Sequence, residues 1–237
     1  MILEVCVADP QSLVAAIEGG ADRIELCSAL ELGGLTPSMG LMELAVEQAQ
    51  CPVYALIRPR PGDFVFDFDD YGAMLADIDA VHLAGLDGVV LGCSRANGEI
   101  DDHMLSRLCG QADGLGLTMH RAFDLVPDMA DAIETAVGLG FERILTSGGA
   151  PTALDGLEQL ALAHATANGR IAIMAGSGLT PANVGELVSR NIVDEIHSSC
   201  AGPVASSESV VRLGFAGATR RVTDSAIVAA MKAAIQA

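Results

Sequence analysis

Residues 1–27 read MILEVCVADPQSLVAAIEGGADRIELC, and the fold turns on this stretch. ILEVCV (2–7) and RIELC (23–27) are short aliphatic and β-branched runs, the composition of strands. Between them, QSLVAAIEGG (11–20) repeats its apolar residues at helical spacing and ends in a glycine pair of the kind that closes helices. A connection that long is not a hairpin, so the two strands are predicted to run parallel in a βαβ unit.

The unit repeats along the chain. Further strands are predicted at PVYALIR (52–58), GVVLG (88–92), GLTMHRA (116–122), RILTS (143–147), IAIMAG (171–176) and DEIHS (194–198). Amphipathic stretches such as SMGLMELAVEQA, MADAIETAVGLG and PANVGELVSR lie between them. Eight strand–helix units predict an α/β protein, a single TIM-like (β/α)8 barrel domain over residues 1–237, with its site at the C-terminal ends of the strands. A doubly wound sheet is the alternative, but the Gly-rich fingerprint that should follow its first strand is missing.

Thirteen basic residues against thirty-one acidic ones leave a formal charge of −18. That charge repels nucleic acid and anionic membrane surfaces, so neither is expected as a partner. No stretch has the run of apolar residues that a membrane span requires. MILEVCVADP lacks a basic, signal-like start, and the six cysteines have no CxxC spacing, so reduced thiols and a cytoplasmic location are expected. The single lysine, Lys232, lies in an Ala-rich helical pattern near the C-terminus, which removes Schiff-base chemistry. With no P-loop, zinc-finger spacing or GxSxG elbow, no organic cofactor is expected.

Strand side chains alternate faces, so residues two apart share one. Glu4 and Cys6, Glu25 and Cys27, Thr118 and His120, and Glu195 and His197 fall together on the polar face, with Arg58 at the end of the third strand. Aliphatic residues such as Leu3, Val5, Ile24 and Leu26 take the other face and suit a helix layer. The polar set is expected inside the barrel, where ionisable groups must be paired. Glu25, His120 and His197 are candidate acid/base residues, with Asp124 of HRAFD (120–124) orienting His120. Mutual neutralisation of Glu4, Glu25 and Arg58 below the site is the alternative.

In IRPRPGDF (57–64), Arg58 and Arg60 each precede a proline that restricts the backbone. Such a pair suits a carboxylate or phosphate, or an internal bridge to Glu25 or Asp63. LTSGGAP and MAGSGLTP end the sixth and seventh strands, and Ser147, Gly148, Gly176 and Gly178 are candidate anion-binding positions there. A small anionic molecule is the partner these features suggest. Cys6 and Cys27 fall at matching ends of adjacent strands about 4.8 Å apart, so their sulfurs could meet around a low-coordinate Cu(I) ion. The stretch from Ser198 to Arg221 is the longest without a clear pattern and is expected over the barrel mouth, as a lid or a disordered loop, with Arg220 and Arg221 adding positive charge.

The ordered set GADRIELC, GGLTPS, IRPRPGDF, HRAFD, RILTSGG, IMAGSG and EIHSS resembles the CutC family of copper homeostasis proteins over nearly the whole chain. The resemblance implies a (β/α)8 barrel, a cytoplasmic homo-oligomer such as a homodimer or homotetramer, and a role in copper handling. It puts the proposed copper ligands on Cys6 and Cys27, while Cys200 departs from the pattern. The residues themselves suggest instead an enzyme doing hydrolysis, elimination or isomerisation on an anionic or sugar-like molecule. Both readings stand at this point, beside a plain binding role for the barrel surface.

Overall fold

The computed structural model describes residues 1–236. Eight parallel strands close into a barrel: β1 (Ile2–Val7), β2 (Arg23–Leu26), β3 (Val53–Leu56), β4 (Gly88–Leu91), β5 (Gly116–Met119), β6 (Arg143–Thr146), β7 (Ala172–Ala175) and β8 (Glu195–Ser198), with β8 pairing back to β1. Helices α1 (Pro10–Glu18), α2 (Met39–Gln48), α3 (Phe68–Ala84), α4 (Asp102–Gln111), α5 (Met129–Gly138), α6 (Leu157–Ala167) and α7 (Gly185–Arg190) connect them. The α/β barrel predicted from the strand–helix repeat is thus the fold observed.

Four of the acidic residues begin helices. Asp9, Asp67, Asp101 and Asp128 each accept a backbone N–H in the first turn of α1, α3, α4 and α5. A carboxylate there satisfies orphan donors and complements the helix dipole.

The alternation of faces decides what lies where. Leu3, Val5, Ile24, Leu26, Val89 and Ile196 point outward into the main core, against Leu13, Met42, Ile78, Leu105 and Met231 of the helices. Inside the barrel a small apolar cluster of Cys6, Cys27, Tyr54, Leu56 and Val90 stands among polar groups. The Tyr54 ring crosses the backbone of Gly88 and Gly116, and its hydroxyl donates to Glu142 at 3.0 Å. A Cβ on Gly116 would overlap that hydroxyl. Gly116→Ala should therefore cost about 1–3 kcal/mol through overpacking, measured as a lower urea midpoint at unchanged m-value.

The segment expected over the barrel mouth, as a lid or a disordered loop, is ordered, and its Ser199 and Arg221 line a cavity there. Strands β9 (Ala201–Ala205) and β10 (Thr219–Thr223) pair antiparallel around the short helix α8 (Glu208–Arg212), and α9 (Ser225–Gln236) then packs on α1, α7 and β1. Most of the ribbon is exposed, so its strands carry no buried alternating face and read as loop.

Candidate active site

The lower barrel interior is an ion network. Arg23 donates to Glu4 and to Glu195, and its Nη1 reaches Glu195 again at 3.5 Å. Arg143 lies 3.4 Å from Glu195 through Nε and donates to Thr118 Oγ1 at 2.8 Å and to Glu142 at 2.8 Å. Both guanidinium groups lie over the Tyr54 ring, 5.6 and 5.0 Å from its centre. Arg58, expected to neutralise Glu4 and Glu25, takes no part. The partner of Glu4 is Arg23, on the adjacent strand in register with it.

One tier higher, β1, β2 and β8 bring Cys6, Glu25 and His197 together. One ligand-type atom from each lies within 4.8 Å of the other two. His197 Nδ1 contacts Glu4 Oε1 at 2.8 Å, and Nε2 stands 3.7 Å from Glu25. Burial works against charge on His197, yet Cys6, Glu4 and Glu25 around it hold its pKa well above the ordinary histidine value. Burial alone would raise Glu4 as well, but the bond from His197 and the Arg23 charge lower it to about 2. Glu25 goes the other way. Burial raises it, His197 pulls it back and Glu4 adds repulsion, leaving it at about 7. Neighbouring carboxylates with such different proton affinities are the pattern of acid/base sites.

Cys6, Glu25 and His197 line a cavity of about 570 Å³ at the C-terminal ends of the strands, together with Cys27, Arg58 and His120. His120 is buried, and its Nδ1 accepts from the backbone N–H of Ala122 at 3.1 Å. The neutral ring therefore carries its proton on Nε2, which is buried without a partner. Burial first, then the Arg58 charge, lowers His120 to about 3, so it is a neutral donor at physiological pH. Phe64 packs between the two, with its ring centre 4.9 Å from that of His120 and 4.8 Å from the Arg58 guanidinium carbon.

Several expected roles are corrected by the geometry. Asp124 does not orient His120. Its carboxylate accepts the backbone N–H groups of Ser147 and Gly149, each at 3.0 Å, and the Thr146 hydroxyl at 2.5 Å, and pairs with Arg121 at 2.7 Å. It is a resident anion in the loop after β6, so Ser147 is already engaged, and the Gly148 N–H donates to Thr146 Oγ1 at 2.9 Å. Gly176 is likewise spent, its N–H on Thr146 O at 3.0 Å. Arg58 ties loops together through the carbonyls of Leu32, Gly34 and Gly62, leaving only Nε unpaired. Arg60 turns away from the cavity to Asp70 at 2.8 Å and Asp63 at 3.1 Å. Of the Gly-rich positions, Gly178 borders the cavity, beside Ser177 and Leu179.

Cys27 shares the apolar cluster with Cys6 but stands outside the Cys6–Glu25–His197 set. Burial, then the Glu25 charge, holds its thiol well above the usual range. Arg221, expected to add positive charge near the mouth, lines the cavity, whereas sequence reasoning overlooked Arg23, Arg121 and Arg143. Arg23 was within reach of it, since it shares a face with Glu25 and Cys27 in RIELC.

Comparison with known proteins agrees over the whole chain. The family model described as the CutC family matches residues 1–202. A CutC family protein of Sinorhizobium medicae is 57% identical over 238 residues, covering 100% of this chain and 97% of its own length. One from Caulobacter vibrioides is 53% identical over 237 residues, covering 98% of this chain and 96% of its own. A solved CutC structure from Streptococcus agalactiae, provisionally named for copper homeostasis, superposes with a TM-score of 0.80 at 31% identity, covering 84% of this chain and 98% of that one.

Proposed function

This chain belongs to the CutC family, and we propose that it is an enzyme that moves protons on a small polar molecule held in the barrel mouth. One observation carries the reading: a cavity of about 570 Å³ is lined by Glu25, His197 and His120, and the Nε2–H of the buried His120 has no partner among the described residues. A volume of that size accommodates an organic molecule rather than a bare ion. An orphaned buried donor is costly unless a ligand fills it.

The division of labour follows from protonation. Glu25, poised near neutrality, takes a proton from carbon or oxygen of the ligand. The neutral His120 donates through Nε2 to an oxygen that gains charge as the proton leaves. His197, kept protonated and fixed by Glu4, lies beside Glu25 and Cys6 and returns a proton. With no lysine in the cavity, the chemistry runs without an imine. An isomerisation of a hydroxycarbonyl compound fits these groups best.

A substrate-independent test is proton–deuterium exchange. Small hydroxyaldehydes and hydroxyketones, free and phosphorylated, incubated with the protein in D2O should lose the ¹H signal next to the carbonyl, and Glu25→Gln should slow the loss by about 10²–10⁴-fold. A panel in which no member exchanges faster than with buffer would end this reading.

Copper handling, the role in the name of the Streptococcus agalactiae relative, is the second reading, and one observation favours it. The thiol of Cys6 and the imidazole of His197 converge with Glu25 within 4.8 Å, and thiolate and imidazole are donors that copper takes. Glu25 is a harder ligand, and the high proton affinity of Cys27 makes a two-thiolate Cu(I) site expensive to form. Copper would be cargo here, and six unpaired cysteines fit a reducing cytoplasm. On this reading, Cu(I) titrated against a competing chelator binds stoichiometrically, and Cys6→Ser weakens it more than Cys27→Ser. Unchanged affinity in the Cys6→Ser/Cys27→Ser double variant would sink it.

A further inference from the structure

The wall formed by the loops after β7 and β8 has no role in the proton chemistry. Ser177, Gly178, Leu179 and Ser199 border the cavity there. Among the described residues, their four backbone N–H groups donate to no carbonyl and to no side chain, although every neighbouring donor is engaged: Gly176 to Thr146 O, Thr180 to Asn183 Oδ1 and Cys200 to Ser198 Oγ. Ser177 and Gly178 are successive left-handed residues, with φ of 81° and 74°. Arg221 of the β9–β10 ribbon reaches the same wall. One of its nitrogens is held by the Ala201 carbonyl, and its other N–H groups have no partner among the described residues.

The corresponding loop after β6 shows how such donors are normally satisfied in this chain. There the side chain of Asp124 fills the loop and takes the N–H groups of Ser147 and Gly149. Among the described residues, Glu25 of β2 is the one acidic residue that lines this cavity, while Asp224 lines the adjoining pocket with Leu179, Ser199 and Arg221. His120, which lines the same cavity, is more than nine-tenths buried, and its Nε2–H has no partner among the described residues.

We propose that the loops after β7 and β8, with Arg221, form a phosphate-binding subsite, and that the molecule held in the cavity is a small phosphorylated hydroxycarbonyl compound whose oxygen faces His120 Nε2. A phosphate presents three peripheral oxygens to four main-chain donors and a guanidinium, against the two of a carboxylate. The subsite deepens the enzyme reading above by naming its substrate class, but its test is independent of turnover.

Inorganic phosphate is the probe, titrated into ¹⁵N-labelled protein at millimolar concentrations and followed by amide shifts. Saturable shifts are expected at Ser177, Gly178, Leu179 and Ser199. Acetate should bind more weakly, and Arg221→Gln should weaken phosphate by about tenfold or more, the loss of one charge-assisted bond. Gly178→Ala places a Cβ 3.0 Å from Thr152 in a left-handed residue and should also reduce affinity. Shifts that do not saturate, that map elsewhere, or that acetate reproduces equally would overturn the proposal in the parent protein itself, whatever the variants do. Glu25→Gln should bind phosphate as the parent does. Phosphate binding without proton exchange in the panel would leave the subsite standing and end the enzyme reading, and exchange without phosphate binding would do the reverse.

Discussion

Arg23→Met should lose about 3–5 kcal/mol of folding free energy, the cost of removing one partner from a buried ion pair. Arg23 is buried at 4% exposure and is shared by two carboxylates, Glu4 and Glu195, themselves 0% and 7% exposed. Methionine fills much of the volume, so the loss is chiefly electrostatic. Glu195 keeps some compensation from Arg143, 3.4 Å away, and Glu4 keeps His197. The pH dependence identifies the cause. In the parent, Glu4 lies at about 2 against an unperturbed 4.5, so its stabilisation is present above about 4.5 and disappears as pH falls towards 2. Without Arg23, burial is opposed by His197 alone, so Glu4 moves up from about 2 and the variant lacks that share of the stabilisation once the carboxylate ionises. The gap between the two proteins should therefore widen from pH 4 to pH 7 in urea denaturation. Adding Glu195→Gln to the variant should return part of the loss. A gap independent of pH would point to packing instead.

The same network marks where sequence reading stops. Period-two alternation placed Glu4, Cys6, Glu25, His120 and His197 on the inner face, because a parallel strand covered by helices leaves only one surface for aliphatic residues. It does not say which charges meet. Glu4 finds Arg23 across one strand boundary, but Arg23 also reaches Glu195, 172 positions away, and nothing local announces that pairing. Asp124 was read as the partner of His120 because they are neighbours in HRAFD. The loop after β6, some twenty residues on, holds more unsatisfied N–H groups than a histidine does, and those groups take the carboxylate. Arg58 and Arg60 failed as a pair for a similar reason. Prolines set their backbones, yet the carbonyls of Leu32, Gly34 and Gly62 claim one guanidinium and Asp70 the other. Loop carbonyls that lack a strand partner are acceptors no motif displays.

Glu25→Gln should do two opposite things, and their combination separates a catalytic carboxylate from a structural one. The rate of proton exchange should fall by about 10²–10⁴-fold, the usual contribution of a general base. Its pH dependence in the parent should be a single ascending limb centred near 7, where Glu25 ionises. His120, at about 3, remains a neutral donor throughout that range, and His197 stays protonated above it, so neither adds a second inflection near neutrality. Glu25→Asp should keep the limb at reduced rate, and residual activity in Glu25→Gln should lack it. Stability should move the other way. The folded pKa of Glu25 is raised from 4.5 to about 7, so the parent's stability is full below about 4.5 and falls as pH rises through 7. The glutamine variant has no proton to lose there. At pH 8 it should exceed the parent by on the order of 3 kcal/mol, with little difference at pH 4. A carboxylate kept only for structure would show the reverse, a variant that unfolds more easily at neutral pH. An ascending limb that persists near 7 in Glu25→Gln would assign the base to another residue of the cavity, and the Cys6–His197 pair would be next to change.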